Sequence, residues 1–247
     1  MTRPVDVLAI GAHPDDVEVG CGGTLILAAD AGLRVAVADL TAGEAASRGT
    51  GRERELERAR ATEILGVTTR SSVGLPDGGV GTDTTHRRAV INLIRELGPR
   101  VVLAPYERDR HPDHAAAGRL VREACFLAGL PRIGDGPPHR PAHVYHYMVH
   151  YPFPASFVVD VSPVWDRKWD AILTYQSQFG QGEGSPATID PDRYLEVVGA
   201  WATLHGAMIG VERGEAFHYP GPLPLATLPG LASDDAGASS SGYQIFH

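Results

Sequence analysis

The strongest constraint on the fold is an apolar run at residues 5–12 that ends in the motif His-Pro-Asp-Asp at residues 13–16. An apolar, β-branched run of this length is typical of a parallel strand that is covered on both faces of its sheet. Pro14 lacks the N–H that a sheet ladder needs, so the chain leaves the sheet there. The motif therefore places an imidazole and two carboxylates at the carboxyl end of a strand, where open α/β sheets bind ligands.

Two interpretations of this motif are open at this point. One of the two carboxylates can cap the helix that follows, which is the common role of a single Asp in such a place. Two adjacent acids after His-Pro also fit a metal site. His13 and Asp16 offer the nitrogen and oxygen donors that suit zinc, and Asp15 is left unligated beside the ion.

Strands and helices alternate along the first 130 residues. Further strands are predicted at 34–40, 70–74 and 100–104, and helices at 22–31, 52–65, 86–97 and 113–127. This alternation favours an α/β fold with a Rossmann-like, doubly wound, mostly parallel sheet, whose first four strands are ordered 3-2-1-4.

The pattern changes beyond residue 130, where a small C-terminal extension of strands and helices is predicted. The strands lie at 143–151 and 157–161, and the helices at 164–175 and 193–209, with a long loop at 176–191. The polar alternation of 143–151 is typical of an exposed or edge strand.

A second polar cluster follows the fourth predicted strand, at residues 106–114, and leads into an Ala-rich helix. It contains His111, Asp113 and His114. Strands one and four are neighbours in the order 3-2-1-4, so this cluster and residues 13–16 are expected to meet at the switch point. A single histidine at a helix start is usually exposed or hydrogen-bonded and has no catalytic role. This alternative is weaker for His111 and His114, because both clusters are expected to line the same crevice.

The two clusters together supply the parts of a hydrolytic zinc site. A catalytic zinc has three protein ligands and one open position, and His13, Asp16 and His114 provide such a set for one zinc per chain. Asp15 can then take a proton from a water that the metal activates. We therefore expect metal-dependent hydrolysis, with Asp15 as general base.

His111 and Asp113 complete the predicted catalytic group. A protonated His111 can stabilise the oxyanion that develops during hydrolysis. The dipole of the helix N-terminus disfavours a cation there, but it amounts to about half a charge, whereas the Asp113 carboxylate carries a full one. We therefore expect Asp113 to hold His111 as imidazolium.

Composition narrows the range of functions. With 247 residues, 43% of them hydrophobic, the chain can bury a substantial core, and we expect one domain over residues 1–219 and a Pro/Gly/Ser-rich tail over 220–247. The net charge of −8, without a basic patch, argues against a nucleic-acid or anionic-membrane partner. No apolar signal region or membrane-length run is seen, which favours a cytoplasmic protein. The two cysteines lack a CxxC pattern and suggest neither disulfides nor a thiolate metal site.

The paired motifs at 13–16 and 111–114 resemble the LmbE/PIG-L family of zinc-dependent N-acetylglucosaminyl deacetylases. Within that family, six segments resemble the bacillithiol biosynthesis deacetylases, and the match spans about residues 5–217. These segments are 11–18, 39–41, 75–77, 109–114, 175–179 and 209–212.

The resemblance implies the same zinc ligands and general base, and it adds substrate or oxyanion roles for Arg54, Arg140 and Tyr194. It further implies that the substrate is N-acetylglucosaminyl malate, which is cleaved to glucosaminyl malate and acetate. It also implies that the protein is a homo-oligomer, specifically a hexamer. The alternative for Arg54 is a solvated helix face with ion pairs. Asp77, in a turn cluster, is expected to form the turn rather than bind a ligand.

Other functions remain as alternatives. A deacetylase of other GlcNAc compounds, such as chitobiose-like ones, and an amidase acting on thiol S-conjugates both fit the same residues. A dinucleotide binder does not, because the first strand is not followed by GxGxxG. A purely structural metal site would fill every coordination position with side chains, and the unligated Asp15 argues against it.

Overall fold

Within the part of the chain that the structure describes, seven strands form one mixed sheet in the order β3-β2-β1-β4-β5-β7-β6. The computed structural model describes residues 4–180 and 190–223. The strands are β1 (Val7–Gly11), β2 (Val35–Asp39), β3 (Thr69–Ser72), β4 (Val101–Pro105), β5 (His143–Tyr147), β6 (Phe157–Asp160) and β7 (Gly214–His218). The helices are α1 (Asp16–Asp30), α2 (Gly51–Leu65), α3 (Thr84–Leu97), α4 (Pro112–Ala128), α5 (Trp165–Leu173), α6 (Gln176–Phe179) and α7 (Pro191–Ile209), with a 3₁₀ turn at Ser162–Val164.

The predicted doubly wound arrangement is confirmed. β1 pairs in parallel with both β2 and β4, and β3 pairs in parallel with β2, which gives the order 3-2-1-4. β5 continues the parallel part beside β4, while β7 pairs antiparallel with β5 and β6. The C-terminal extension therefore enlarges the same sheet.

Two expectations about this extension are wrong. β5 was expected at an exposed or edge position, but it lies between β4 and β7 and its last two residues are buried. Two of its polar side chains form hydrogen bonds inside the protein: His146 Nδ1 donates to the Pro105 carbonyl at 2.8 Å, and the Tyr147 hydroxyl donates to the Ile10 carbonyl at 2.8 Å. β7 was not predicted, because its five residues carry no clear alternation.

The predicted loop at 176–191 contains the short helix α6, and its residues 181–189 lie outside the described part of the chain. The predicted tail lies outside it from residue 224 onward.

The sheet is covered on both faces by apolar side chains. Leu8 and Ile10 of β1 pack in the cluster that includes residues of α3 and α4, whereas Ala9 packs with residues of α1 on the other face. This alternation along one strand is the period of two that a strand imposes. Among the described helices, none is both long and apolar enough to cross a bilayer.

The entry into α2 matches the sequence. The Thr50 side chain accepts a hydrogen bond from the Glu53 amide, and the Glu53 side chain accepts one from the Thr50 amide, which forms a capping box. The helix ends at Gly66, whose φ of 69° is left-handed. This cap fixes the register of the helix that carries Arg54.

Thr50→Ala removes the acceptor of that cap and is expected to lower the free energy of unfolding by about 1 kcal/mol. Chemical denaturation monitored by circular dichroism measures the change. Thr84→Ala is the matched control, since Thr84 is exposed at the start of α3 and its hydroxyl makes no hydrogen bond to any described residue. Equal losses in the two variants would contradict the role assigned to the cap.

Candidate active site

The two polar motifs meet at the carboxyl ends of β1 and β4, as expected. His13 Nδ1 lies 3.3 Å from His114 Nε2, and Asp16 Oδ1 lies 3.1 Å from the same nitrogen. His13 Nδ1 and Asp16 Oδ2 are 3.8 Å apart. Ligands bonded to a tetrahedral zinc at 2.0–2.2 Å are separated by about 3.4 Å, so the three predicted ligands fit such an ion.

Backbone amides orient the Asp16 carboxylate. Its Oδ2 accepts hydrogen bonds from the amides of Ala12 at 2.8 Å and His13 at 3.0 Å, which turns Oδ1 toward His114. Burial alone raises the pKa of Asp16, but the charge and hydrogen bond of His114 hold that pKa well below its usual range. The carboxylate is therefore ionised, as a metal ligand must be.

Carboxylates also orient the two histidines from their outer sides. His13 Nε2 lies 3.0 Å from Asp77 Oδ1 and 3.4 Å from Asp113 Oδ2, and His114 Nδ1 lies 3.2 Å from Asp109 Oδ1. An acceptor on one ring nitrogen places the proton there and leaves the lone pair of the other nitrogen for a metal. Nδ1 of His13 and Nε2 of His114 are thus the nitrogens that face each other.

The acidic surroundings favour a positive charge at this site. Burial lowers the pKa of His13, but Asp113 and Asp77 outweigh it and raise the pKa to about 10. Burial likewise lowers the pKa of His114, and Asp16 and Asp109 raise it to about 9. A metal ion bound between these rings would take the place of these protons, so its affinity would increase with pH.

Three residues of this arrangement were not predicted as parts of the site. Asp77 was expected only as a turn former, Asp109 was quoted only within a motif, and His150 was not singled out. His150 Nδ1 lies 2.9 Å from Asp109 Oδ1, and its amide donates to Asp109 Oδ2 at 3.0 Å. The acid two residues before His111 was a usable signal for Asp109, whereas nothing local marks His150.

Asp15 occupies a strained position beside the ligands. Its φ of 113° makes it the one non-glycine residue with a positive φ among residues 4–180 and 190–223. Such a conformation costs about 1–3 kcal/mol and is concentrated at functional sites. Burial raises the pKa of Asp15 to about 7, against the lowering effect of the Arg54 charge.

Arg54 holds the Asp15 carboxylate in place. Its Nη2 lies 2.9 Å from Asp15 Oδ2 and donates to the Pro14 carbonyl at 3.3 Å, while Nη1 donates to the Gly43 carbonyl at 3.4 Å. The side chain is buried, so the alternative of a solvated helix face is wrong for Arg54. Gly43 leaves the room that the guanidinium needs, since a Cβ there would clash with Arg54 Nη1.

The surroundings of His111 oppose the expected imidazolium. Burial, followed by the charges of His114 and His13, lowers the pKa of His111. The Asp113 carboxylate is turned away toward the amides of Gly78 at 2.7 Å and Val80 at 3.3 Å, and it adds only a small opposing effect.

The proton of the neutral His111 ring has a defined place. His111 is the N-cap of α4, and its Nδ1 accepts a hydrogen bond from the Asp113 amide at 3.2 Å. The proton is therefore on Nε2. The ligand nitrogens of His13, His111 and His114 lie within 4.8 Å of one another, so His111 borders the metal position.

These groups surround a cavity of about 330 Å³. Tyr194 lines it, and the Tyr194 hydroxyl donates to the Val149 carbonyl at 3.3 Å. Arg140 does not line it. Its guanidinium lies 4.5 Å from the centre of the Phe126 ring and donates to the Phe126 carbonyl, near the end of α4 opposite the site and about 21 Å from the start of that helix. The expectation that Arg140 contacts the substrate is therefore wrong for the cavity of its own chain.

A second groove, of about 280 Å³, adjoins the cavity and shares His150 and Tyr194 with it. Arg110 and Arg193 line this groove, and both side chains are exposed. Neither guanidinium forms an ion pair or a hydrogen bond with any residue that the structure describes. The Asp190 carboxylate also borders the groove, where it accepts the amides of residues 192 and 193 as the cap of α7.

Comparison with known proteins identifies the family. The PIG-L family, described as GlcNAc-PI de-N-acetylase, matches residues 8–125. A diacetylchitobiose deacetylase from Thermococcus kodakarensis is 35% identical over 192 residues, 70% of this chain and 70% of that protein. A probable N-acetyl-alpha-D-glucosaminyl L-malate deacetylase 2 from Bacillus anthracis is 34% identical over 139 residues, 51% of this chain and 60% of that protein.

A solved structure has the same fold. The conserved protein TT1542 from Thermus thermophilus is 41% identical, with a TM-score of 0.83 over 93% of this chain and 100% of that one. Both polar motifs of the candidate site fall within the residues that the family matches. The chain therefore belongs to the PIG-L family of deacetylases, which are hydrolases acting on amide bonds.

Proposed function

We propose that this protein deacetylates N-acetylglucosaminyl malate in bacillithiol biosynthesis, releasing acetate and glucosaminyl malate. The observation that carries this choice of substrate is the pair of unpaired arginines, Arg110 and Arg193, in the groove beside the catalytic cavity. The malate group carries two carboxylates, and charge-assisted hydrogen bonds from arginine are the strong way to bind them. The second sugar of diacetylchitobiose is uncharged and gains nothing from these cations.

The proposed metal is one zinc ion per chain, held by His13, Asp16 and His114. A zinc ion held by these residues would supply Lewis-acid chemistry, polarising the acyl carbonyl and lowering the pKa of the attacking water. Asp77, Asp109 and Asp113 hold the ligand histidines in orientation from behind. Asp113, first expected to act on His111, thus acts through His13 in this proposal.

Asp15 is the proposed general base. It accepts the proton of the attacking water while the hydroxyl oxygen bonds to the acyl carbon. When the C–N bond breaks, Asp15 returns that proton to the leaving amine, so the products are acetate and a free amino group. A pKa of about 7 suits both steps near neutral pH.

His111 and Tyr194 are the proposed partners of the acyl group. As neutral imidazole, His111 donates from Nε2 toward the oxyanion, which needs a donor and not a full charge. Tyr194 borders the cavity and also the groove, at the place where the sugar would meet the malate group.

Some further expectations come from the resemblance or from composition and belong to this proposal. They are the single domain over residues 1–219, a cytoplasmic location and a homohexamer.

The first test separates the two adjacent acids. Asp15→Asn keeps the metal ligands and removes the base, so the rate of acetate release should fall by about 10²–10⁴-fold while the zinc content is unchanged. Asp16→Asn removes a ligand, so the zinc content itself should fall. Elemental analysis and an acetate assay measure both, and chelation of the unaltered protein should abolish activity. Equal zinc contents in the two variants would contradict this division of roles.

The second test uses pH. Asp15 acts as a base only when ionised, so activity should decline as the pH falls through about 7. Arg54 lowers the pKa of Asp15, so Arg54→Gln should raise that pKa and move the acid limb of kcat to higher pH. Arg52→Gln, on the exposed face of α2, is the control and should leave the limb in place. If the acid limb does not shift in Arg54→Gln, the limb does not report the ionisation of Asp15.

The third test concerns the substrate. Arg193→Met should lower kcat/KM for N-acetylglucosaminyl malate by roughly 3–10-fold, because one exposed charged contact contributes about 1 kcal/mol. The value for diacetylchitobiose should not change. Arg60→Met, an exposed position of α2, is the control.

The unaltered enzyme decides between the alternatives. A preference for diacetylchitobiose would overturn the malate assignment and leave the deacetylase intact. Cleavage of thiol S-conjugates without acetate release would favour the amidase.

A further inference from the structure

Helix α1 is broken five residues after it begins. Cys21 has φ −147° and ψ 16°, which are not helical, so residues 16–20 form a separate turn and the main helix starts after the break. The sequence predicted only this second part, from residue 22. The isolated turn contains Asp16, follows directly on Asp15, and is far too short to be stable by itself.

A buried ion pair spans the break. Lys168 on α5 lies 2.6 Å from Glu215 on β7, and both side chains are almost fully buried. Lys168 Nζ donates to the Val19 carbonyl at 2.8 Å, at the end of the short turn. The Glu215 carboxylate accepts the amides of Gly23 and Thr24 at 2.8 Å each and the Thr24 hydroxyl at 2.6 Å, at the start of the main helix.

Each charge therefore lies at the helix end that favours it. The carboxylate satisfies amides left free at an N-terminus, and the ammonium satisfies a carbonyl left free at a C-terminus. A buried ion pair of this kind needs further hydrogen bonds to offset the loss of hydration, and the ends of the break supply them.

The pair is connected to the catalytic residues through one residue. Val19 accepts from Lys168 at its carbonyl, and its amide donates to the Asp15 carbonyl at 3.0 Å. At the other end of the turn, Asp16 Oδ2 is fixed by the amides of Ala12 and His13. The turn is therefore held at both ends, and only one end belongs to the metal motif.

We infer that Lys168 and Glu215 are positioning residues that fix the turn at residues 16–20, and with it the Asp16 ligand and the Asp15 base. Neither residue touches the metal position. Their effect passes through Val19, and removing either charge leaves the other buried without its partner. The inference goes beyond the proposed substrate but rests on the proposed metal ligands.

Lys168→Met tests this inference, because it keeps the length of the side chain and removes the ammonium. We expect the affinity for Zn²⁺, titrated against a competing chelator, to fall about tenfold, as is usual when support behind a metal ligand is lost. We also expect kcat to fall by a larger factor than KM changes, since Arg110 and Arg193, the proposed substrate contacts in the groove, lie outside this turn.

Arg167→Met is the matched control. Arg167 is the neighbouring residue on α5 and also forms an ion pair with α1, to Asp30 at 2.6 Å, but that pair is half-exposed and lies at the far end of the helix. Zn²⁺ affinity and kcat should be unchanged in this variant. Thermal melting of both variants separates a loss of stability from a loss of position.

Thr24→Val removes only the hydroxyl contact to Glu215, and it tests the inference if Lys168→Met does not fold. It should lower Zn²⁺ affinity in the same direction by a smaller factor, about twofold to threefold. A folded Lys168→Met protein, or failing that Thr24→Val, with unchanged Zn²⁺ affinity and kcat would overturn the inference. An unaltered protein that binds no Zn²⁺ would overturn the proposed metal site as well.

Discussion

The parallel pairing of β1 with β4 is the interaction on which the site depends. Val7 pairs with Val101 and Ala9 with Leu103, so the two strands end level with each other. Loops that are about a hundred residues apart in the chain therefore begin at one edge, and His13 reaches His114 at 3.3 Å. A shift of one residue would move one loop by about 3.3 Å, the full separation of those two ligands. The register between the buried strands β1 and β4 thus determines the distance between His13 and His114.

Carboxylates lie on both sides of the His13 and His114 rings. Asp16 faces the ligand nitrogens, whereas Asp77, Asp109 and Asp113 hold the opposite sides of the rings. Backbone amides satisfy most of their remaining oxygens, as with Gly78 and Asp113. Ionised carboxylates are tolerated in a buried place because each has donors assigned to it. The carboxylates therefore favour a positive charge at this site before any substrate binds.

The sequence predicted the parts of this arrangement that depend on local pattern. Apolar runs located the parallel strands, and strand ends located the ligands that meet there. It did not predict β7 or His150, whose positions depend on pairing and packing with distant segments. His111 was misjudged because proximity in sequence to Asp113 does not fix where a carboxylate points. Arg140 was carried over on a loose motif match, which contains no information on distance from the site.

The left-handed backbone of Asp15 has a consequence for how this enzyme can change. Glycine adopts a φ of 113° without the steric cost that a Cβ imposes. Glycine at this position would therefore make the folded state more stable than Asp15 does. The carboxylate is retained there against the preference of the backbone. Selection for thermal tolerance alone would therefore favour loss of the carboxylate that we propose as the general base, so stability and turnover would compete at this single residue.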